Sequence, residues 1–274
     1  MRRPAAVLIL VVSSLIAVPA IAGPYEDATK AYGRGDYKTA IRLIKPLAEQ
    51  GNAKSQYNLG LMYALGQGVP QDYADAMKWY RKAADQGHLP AQYNLGFMYA
   101  NGQGVPRDHA EAVKWYGKAA DQGYASAQYN LGRMYASGQG VPQDHAKAVK
   151  WYRKAADQGD ASARFNLGLM YALGQGVPQD HAEAANWYRK AADQGDASAQ
   201  FNLGLMYGKG QGVPQDYVLS HMWFSLAASR FPASERERRD MAISNRDTAA
   251  SKMTPAQVAE ARKLAQEWKP KKER

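Results

Sequence analysis

Residue types able to do chemistry recur in this chain at a fixed interval of 36 positions. His109, His145 and His181 are of the type that binds zinc or moves protons. Tyr73 and Tyr217 fill the same position in neighbouring units, and stacked helices lie roughly 10 Å apart, too far to share one ion. A metal centre is therefore not expected. Asp72, Asp108, Asp144, Asp180 and Asp216 form a carboxylate column, each just ahead of a helical pattern, and are expected to cap helices. Asp85, Asp121, Asp157 and Asp193 sit near the helix ends where negative charge is unfavourable, so a basic neighbour is expected beside them. The loops Gly66–Pro70 through Gly210–Pro214 read Gly-Gln-Gly-Val-Pro but lack the Gly-Lys-Ser/Thr that a phosphate loop needs. No Ser, His and Asp stand apart from the repeating frame. The expectation is a protein without catalytic residues, metal or cofactor.

The elements that carry these residues are equally regular. Gln56-Tyr57-Asn58-Leu59-Gly60 returns at 92–96, 128–132, 164–168 and 200–204, with Arg164, Phe165 and Phe201 as the departures. Met-Tyr, the glycine loop, a tryptophan (Trp79 through Trp223) and Ala-Ala follow in every unit. The spacing predicts a first helix over about 53–65, with Tyr57, Leu59, Met62 and Tyr63 at mixed i+3/i+4 intervals. Gly66 and Gly68 end it, and Pro70 forbids its continuation. Asp72 opens a second helix with Ala76, Trp79, Tyr80 and Ala83 on one stripe, stopped at Gly87. Gly60 and the alanines are small where helices must approach, while Tyr63 and Trp79 fill the wedge between hairpins. One hairpin cannot bury its apolar face alone, so neighbours must stack.

The unit Leu59-Gly60-x-x-Tyr63 … Ala76-x-x-x-Tyr80 resembles the tetratricopeptide repeat. It departs in the 13 residues from Tyr63 to Ala76 and in Gln56, which stands where that repeat has tryptophan. The 36-residue period, the longer Gly-Gln-Gly-Val-Pro loop and the Trp-Tyr pair are similar to the SEL-one-like repeat (SLR) family, over about residues 52–229. The resemblance implies an all-α fold, a right-handed α/α superhelical solenoid that serves as an adaptor. In bacterial envelopes such proteins are associated with signalling, polysaccharide control and contact with cell wall or host. Some cysteine-rich members are linked to β-lactam hydrolysis. This chain has no cysteine, no Ser-x-x-Lys and no Lys-Thr-Gly, which argues against a hydrolase of the β-lactam or cell-wall type.

The resemblance places first helices on the concave face, with the residue before Leu-Gly often an asparagine that bonds a peptide backbone. Here these are Asn58, Asn94, Asn130, Asn166 and Asn202. An amide has two donors and an acceptor, which suits an extended main chain, and a chain of ~3.3 Å per residue would meet one asparagine roughly every third residue. The alternative is that these amides bond the adjacent repeat. Beside them Leu61, Phe97, Arg133, Leu169 and Leu205 vary within a fixed frame, as suits a surface reading one partner, with Arg133 facing an acid. Leu65, Asn101, Ser137, Leu173 and Lys209 vary in the same way and are expected at the groove edge. A protein or peptide ligand is the leading expectation. A cell-wall glycan stacked on Tyr57, Tyr93 and Tyr129 is the alternative.

The ends set the compartment. Met1-Arg2-Arg3, an apolar run from Ala5 to Ala20 and Ala20-Ile21-Ala22 read as a secretory signal peptide, 1–22, cleaved after Ala22. A periplasmic or secreted protein is expected. With no cysteine it is not a lipoprotein and has neither disulfides nor thiolate metal sites. Net charge is +10, but residues 230–274 hold 12 basic against 7 acidic residues, so the excess is a property of the tail. Without a nucleic-acid motif it does not predict a nucleic-acid partner, and no transmembrane segment is expected after cleavage. Residues 23–51 read as an N-terminal capping hairpin and 52–231 as five repeats. Residues 232–268 read as capping helices, opened by the capping boxes Ser234-x-x-Glu237 and Thr254-Pro255-x-Gln257, and 269–274 as a basic tail. The apolar Leu219, Met222, Phe224 and Leu226 need that cap as cover, and Val258, Ala261, Leu264, Ala265 and Trp268 form its stripe.

Overall fold

The computed structural model describes residues 23–271. The expected signal peptide lies outside them. Among the described residues the chain is all α-helix, in tandem hairpins. The first hairpin is α1 (Pro24–Gly33) and α2 (Tyr37–Glu49). Five longer-looped hairpins follow: α3 (Ala53–Leu65) with α4 (Tyr73–Asp85), α5 (Leu89–Asn101) with α6 (His109–Asp121), and α7 (Ala125–Ser137) with α8 (His145–Asp157). Then come α9 (Ala161–Leu173) with α10 (His181–Asp193) and α11 (Ala197–Lys209) with α12 (Tyr217–Arg230). The chain closes on α13 (Arg236–Ala250) and α14 (Pro255–Glu267).

Local chemistry sets each boundary. Gly66 ends α3 at φ 68°, a left-handed conformation open to glycine without strain. Asp72 begins α4 by accepting from the N–H groups of Ala74 and Asp75. The same cap recurs at Asp108, Asp144, Asp180 and Asp216. For Asp144, the bond from the Lys147 N–H holds the carboxyl below its usual range.

Two close approaches lock the frame. Gly60 lets α3 meet the ring of Tyr80 on α4, where a methyl group would stand 2.8 Å from a ring carbon. Gly140 lets its loop rest on the backbone of His109, at the start of the preceding repeat's second helix. The equivalent glycines of the other loops rest on Tyr37, Tyr73, His145 and His181. The Gly-Gln-Gly loop is thus a packing device between repeats. The histidine column supplies the floor under it, and among the described residues no three metal-capable side chains gather.

A buried amide ladder, which the sequence marked only as a missing tryptophan, ties the repeats along the axis. Gln56 Nε2 donates to the Ala48 carbonyl at 3.0 Å, and Gln92, Gln128 and Gln200 repeat the bond to Ala84, Ala120 and Ala192. Gln86 donates to Gln56 Oε1 at 2.7 Å, and Gln122 and Gln158 do the same to Gln92 and Gln128. Where Arg164 replaces the glutamine, its Nε keeps the bond to Ala156, and Gln194 turns to the Gly159 carbonyl. Buried donors and acceptors must be matched, and the ladder matches them until its last rung, where Gln200 Oε1 is buried without a partner among the described residues. Arg81, Arg153 and Arg189 add polar ties to the hydroxyls of Tyr99, Tyr171 and Tyr207.

The apolar side of α12 is covered. Met222, Trp223, Phe224 and Leu226 are buried, and α14 sets Trp268 edge-on to Trp223 at 6.5 Å, with Leu264 and Ala265 against the same core. Thr254 and Gln257 form the expected capping box of α14. The other expected box does not form. Ser234 falls inside a 3-10 turn, Ala233–Glu235, and α13 starts at Arg236 with no side-chain cap. Pro232 and the following turn put Ser234 one position ahead of the N-cap, which is Glu235, so its hydroxyl does not cap the first free N–H groups of α13. Of the carboxylates at helix ends, Asp193 finds its basic neighbour in the tail, with Lys271 Nζ at 2.7 Å.

Candidate partner-binding face

Spacings of three and seven residues put Asn58, Leu61 and Leu65 on one stripe of α3. The repeat copies that stripe onto α5, α7, α9 and α11. The asparagines are half-buried. Asn58 Nδ2 donates to the Tyr25 hydroxyl at 3.1 Å, and Asn130 Nδ2 to the Tyr93 hydroxyl at 3.4 Å and the Ser126 carbonyl at 3.0 Å. Asn94 stands beside the hydroxyls of Tyr57 and Tyr80, Asn202 beside that of Tyr188. Asn166 has no tyrosine partner and bonds the Ser162 carbonyl at 2.8 Å. The amide donors therefore serve contacts within and between repeats, the alternative that the sequence left open. Burial pushes Tyr57, Tyr80, Tyr93 and Tyr116 above the usual phenol range, and Tyr188 to about 12. These phenols are neutral hydroxyls at physiological pH.

The variable columns are more open. Phe97 is 43% exposed and Arg133 is exposed, while Leu61, Leu169 and Leu205 are half-buried. At the edge, Leu65 and Leu173 are 54% and 55% exposed, although neither is charged. Three recesses open along this face. Leu61 and Asn58 border one of about 130 Å³ with Tyr32 and Ile44. Phe97, Asn101, Asn130 and Arg133 border a second of about 320 Å³, between the second and third repeats. Leu205 and Lys209 border a third of about 230 Å³, closed on one side by Asn245 and Thr248 of α13 and by Lys252 in the turn after it. The structure so brings Asn58 together with Leu61, and Asn130 with Phe97 and Arg133, while Leu205 lines its recess without a column asparagine and Asn94, Asn166, Asn202 and Leu169 line none of the three. It adds Arg107 to the second, a residue that sequence reasoning passed over. Its signal was available, since the other repeats carry Gln71, Gln143, Gln179 and Gln215 there.

The three tyrosines weighed for sugar stacking already pack against rings. Tyr57 lies 4.8 Å from the His88 ring and 5.7 Å from Tyr80, Tyr93 lies 5.5 Å from Tyr124, and Tyr129 lies 6.0 Å from Tyr152. No helix among the described residues is long and apolar enough to cross a membrane.

Comparison with solved structures finds a Sel1 repeat protein from Oxalobacter formigenes, 34% identical, with a TM-score of 0.74 over 78% of this chain and 88% of that one. The antigen c5321 of uropathogenic Escherichia coli, which displays an SLR fold, is 30% identical with a TM-score of 0.43, over 89% of this chain and 68% of that one. The immunity protein Pa5087 from Pseudomonas aeruginosa is 25% identical with a TM-score of 0.46, over 74% and 81%. A search of curated proteins gave no match. The Sel1 repeat family model matches residues 53–88, 89–124, 125–160, 161–196 and 197–230, the five hairpins from α3 to α12, and the chain belongs to the Sel1 repeat family.

Proposed function

We propose that this chain is a non-enzymatic scaffold that holds an extended segment of a partner protein along its first-helix face, in the cell envelope or outside the cell. Its repeat class is one of protein-interaction scaffolds, which supports the coarse reading. One observation carries the finer one. Three of the five exposed large apolar side chains among the described residues, Leu65, Phe97 and Leu173, stand on the first helices, while Tyr73 and Met241 lie elsewhere. Packing does not need them there, and a row of apolar side chains with polar rims is what a peptide-binding groove presents. The charged start, apolar run and Ala20-Ile21-Ala22 site support export.

The immobilised mature protein is incubated with envelope extract and, separately, with purified peptidoglycan. Retention of a defined protein, lost in the variant L65S/L173S, is the expected result. Retention on peptidoglycan with no protein partner recovered would overturn the reading in favour of a glycan-binding role. Intact mass of the protein from the periplasm tests cleavage after Ala22, and a cytoplasmic protein retaining residues 1–22 would remove the envelope assignment.

A further inference from the structure

Five copies of one unit act as each other's controls, because a residue that departs from its column is not there for the repeat's sake. Two such departures meet in the recess between the second and third repeats. Arg107 stands where every other repeat has glutamine, and Arg133 where every other repeat has leucine or phenylalanine. The glutamines have a structural duty, each donating to a carbonyl at the end of its first helix at 2.8 Å, as Gln143 does to Ala136 and Gln179 to Ala172. Arg107 does not make that bond, nor does it form an ion pair with any described residue. Arg133 has no ion pair either, and its guanidinium lies only over the Tyr129 ring, 5.9 Å from the centroid.

The recess has no acidic side chain in its lining. Asn101, Asn130 and His109 add polar groups, and Phe97 gives one apolar wall. The nearest carboxylate in sequence, Asp108, is committed to the Glu111 N–H at 2.9 Å. Two arginines lining one recess without an acidic residue in the lining favour an anion with two acceptor oxygens, the group that arginine binds in a fork. Beside an apolar wall on a peptide-binding face, that anion is a carboxylate carried by an apolar chain.

We propose that this recess is the specificity site of the scaffold and takes a glutamate or aspartate side chain of the bound segment, flanked by apolar residues. The inference rests on the groove reading above and names the partner's chemistry. Arg107 and Arg133 bind the carboxylate, and Phe97 receives the neighbouring apolar side chain. The rest of the face, which holds leucines at the equivalent positions, contributes affinity without charge selection.

The test uses two fluorescein-labelled hexapeptides blocked at the C-terminus, Leu-Phe-Glu-Glu-Leu-Phe and its neutral counterpart Leu-Phe-Gln-Gln-Leu-Phe, titrated by anisotropy against the mature protein. The variant R107Q/R133L carries residues that the other repeats already use at these positions, so folding is safeguarded by the protein's own precedent. The acidic peptide is expected to bind at least about tenfold more tightly than the neutral one, with the preference reduced by salt and lost in R107Q/R133L. Equal binding of the two peptides, a preference that survives in R107Q/R133L, or no binding of the acidic peptide would each overturn the carboxylate site. Failure of the groove reading shows differently. The acidic peptide would then bind with its preference intact while L65S/L173S still retained the envelope partner as the wild type does, marking an isolated anion site and no groove.

Discussion

Replacing glycine by alanine at two helical positions should have opposite effects, and the structure fixes the sign of each. Gly168 lies in α9 against α10, and a methyl group there would stand 2.7 Å from Cδ1 and 2.9 Å from Cε1 of Tyr188. Tyr188 is buried and cannot retreat, because Phe165 lies 5.7 Å from its ring centre. Overpacking of this kind costs about 1–3 kcal/mol, while alanine restores about 1 kcal/mol of helix propensity. The net for Gly168→Ala is a loss of about 1 kcal/mol. Gly117 lies within α6 with nothing within 4 Å of the added methyl group, so Gly117→Ala keeps only the favourable part, about 0.5–1 kcal/mol. The two variants should differ by about 2 kcal/mol, which for a chain of this size separates their thermal midpoints by roughly 4–8 °C. Both are measured by circular dichroism on the mature protein beside the wild type. A Gly168→Ala variant as stable as Gly117→Ala would show that helix packing at the repeat glycine is looser than the geometry requires.

Three further outcomes follow from particular bonds. Gln128→Ala removes the donor to the Ala120 carbonyl and the acceptor of Gln158, and should cost about 1–3 kcal/mol in urea unfolding, where an unchanged midpoint would dismiss the amide ladder as a support. Asp180→Ala removes the cap of α10 and should cost about 1 kcal/mol, read by the same assay. His221 is buried in α12, and desolvation, aided by Arg246 and Arg262, lowers its pKa below 6.5. Its neutral form is thus favoured in the fold. The stability it contributes is present above pH 6.5 and is lost as pH falls through the lowered folded value, when only the unfolded chain gains the proton. His221→Gln should therefore flatten the decline in melting temperature between pH 7.5 and 5, and an unchanged slope would assign the decline to other groups.

The fold was legible because a strict period repeats every local signal five times. Gly66, Pro70 and Asp72 announce the boundaries at which α3 stops and α4 begins. The box at Ser234 failed because Pro232 and a 3-10 turn shift the start of α13, and a capping motif says nothing about the turn before it. The asparagines were legible as a column but not in role, since whether an amide faces a ligand or Tyr25 and Tyr93 depends on how far one hairpin overlaps the next. Gln56 was visible only as a missing tryptophan, because its partners, Ala48 in α2 and Gln86 at the end of α4, lie outside its own helix and are ordinary in sequence. Arg107 escaped notice for a related reason. Its departure from the glutamine column carries no meaning until the fold sets it beside Arg133.

The most direct test of a binding surface on the first helices is site-specific photocrosslinking in the native compartment. A benzophenone amino acid is placed at Phe97, at Leu173, or at Lys150, which is exposed on the second helix α8. Irradiation of intact cells should give the same protein adduct from Phe97 and Leu173 and none from Lys150. Adducts from Lys150 alone, or equally from all three positions, would place the partner elsewhere and contradict the groove.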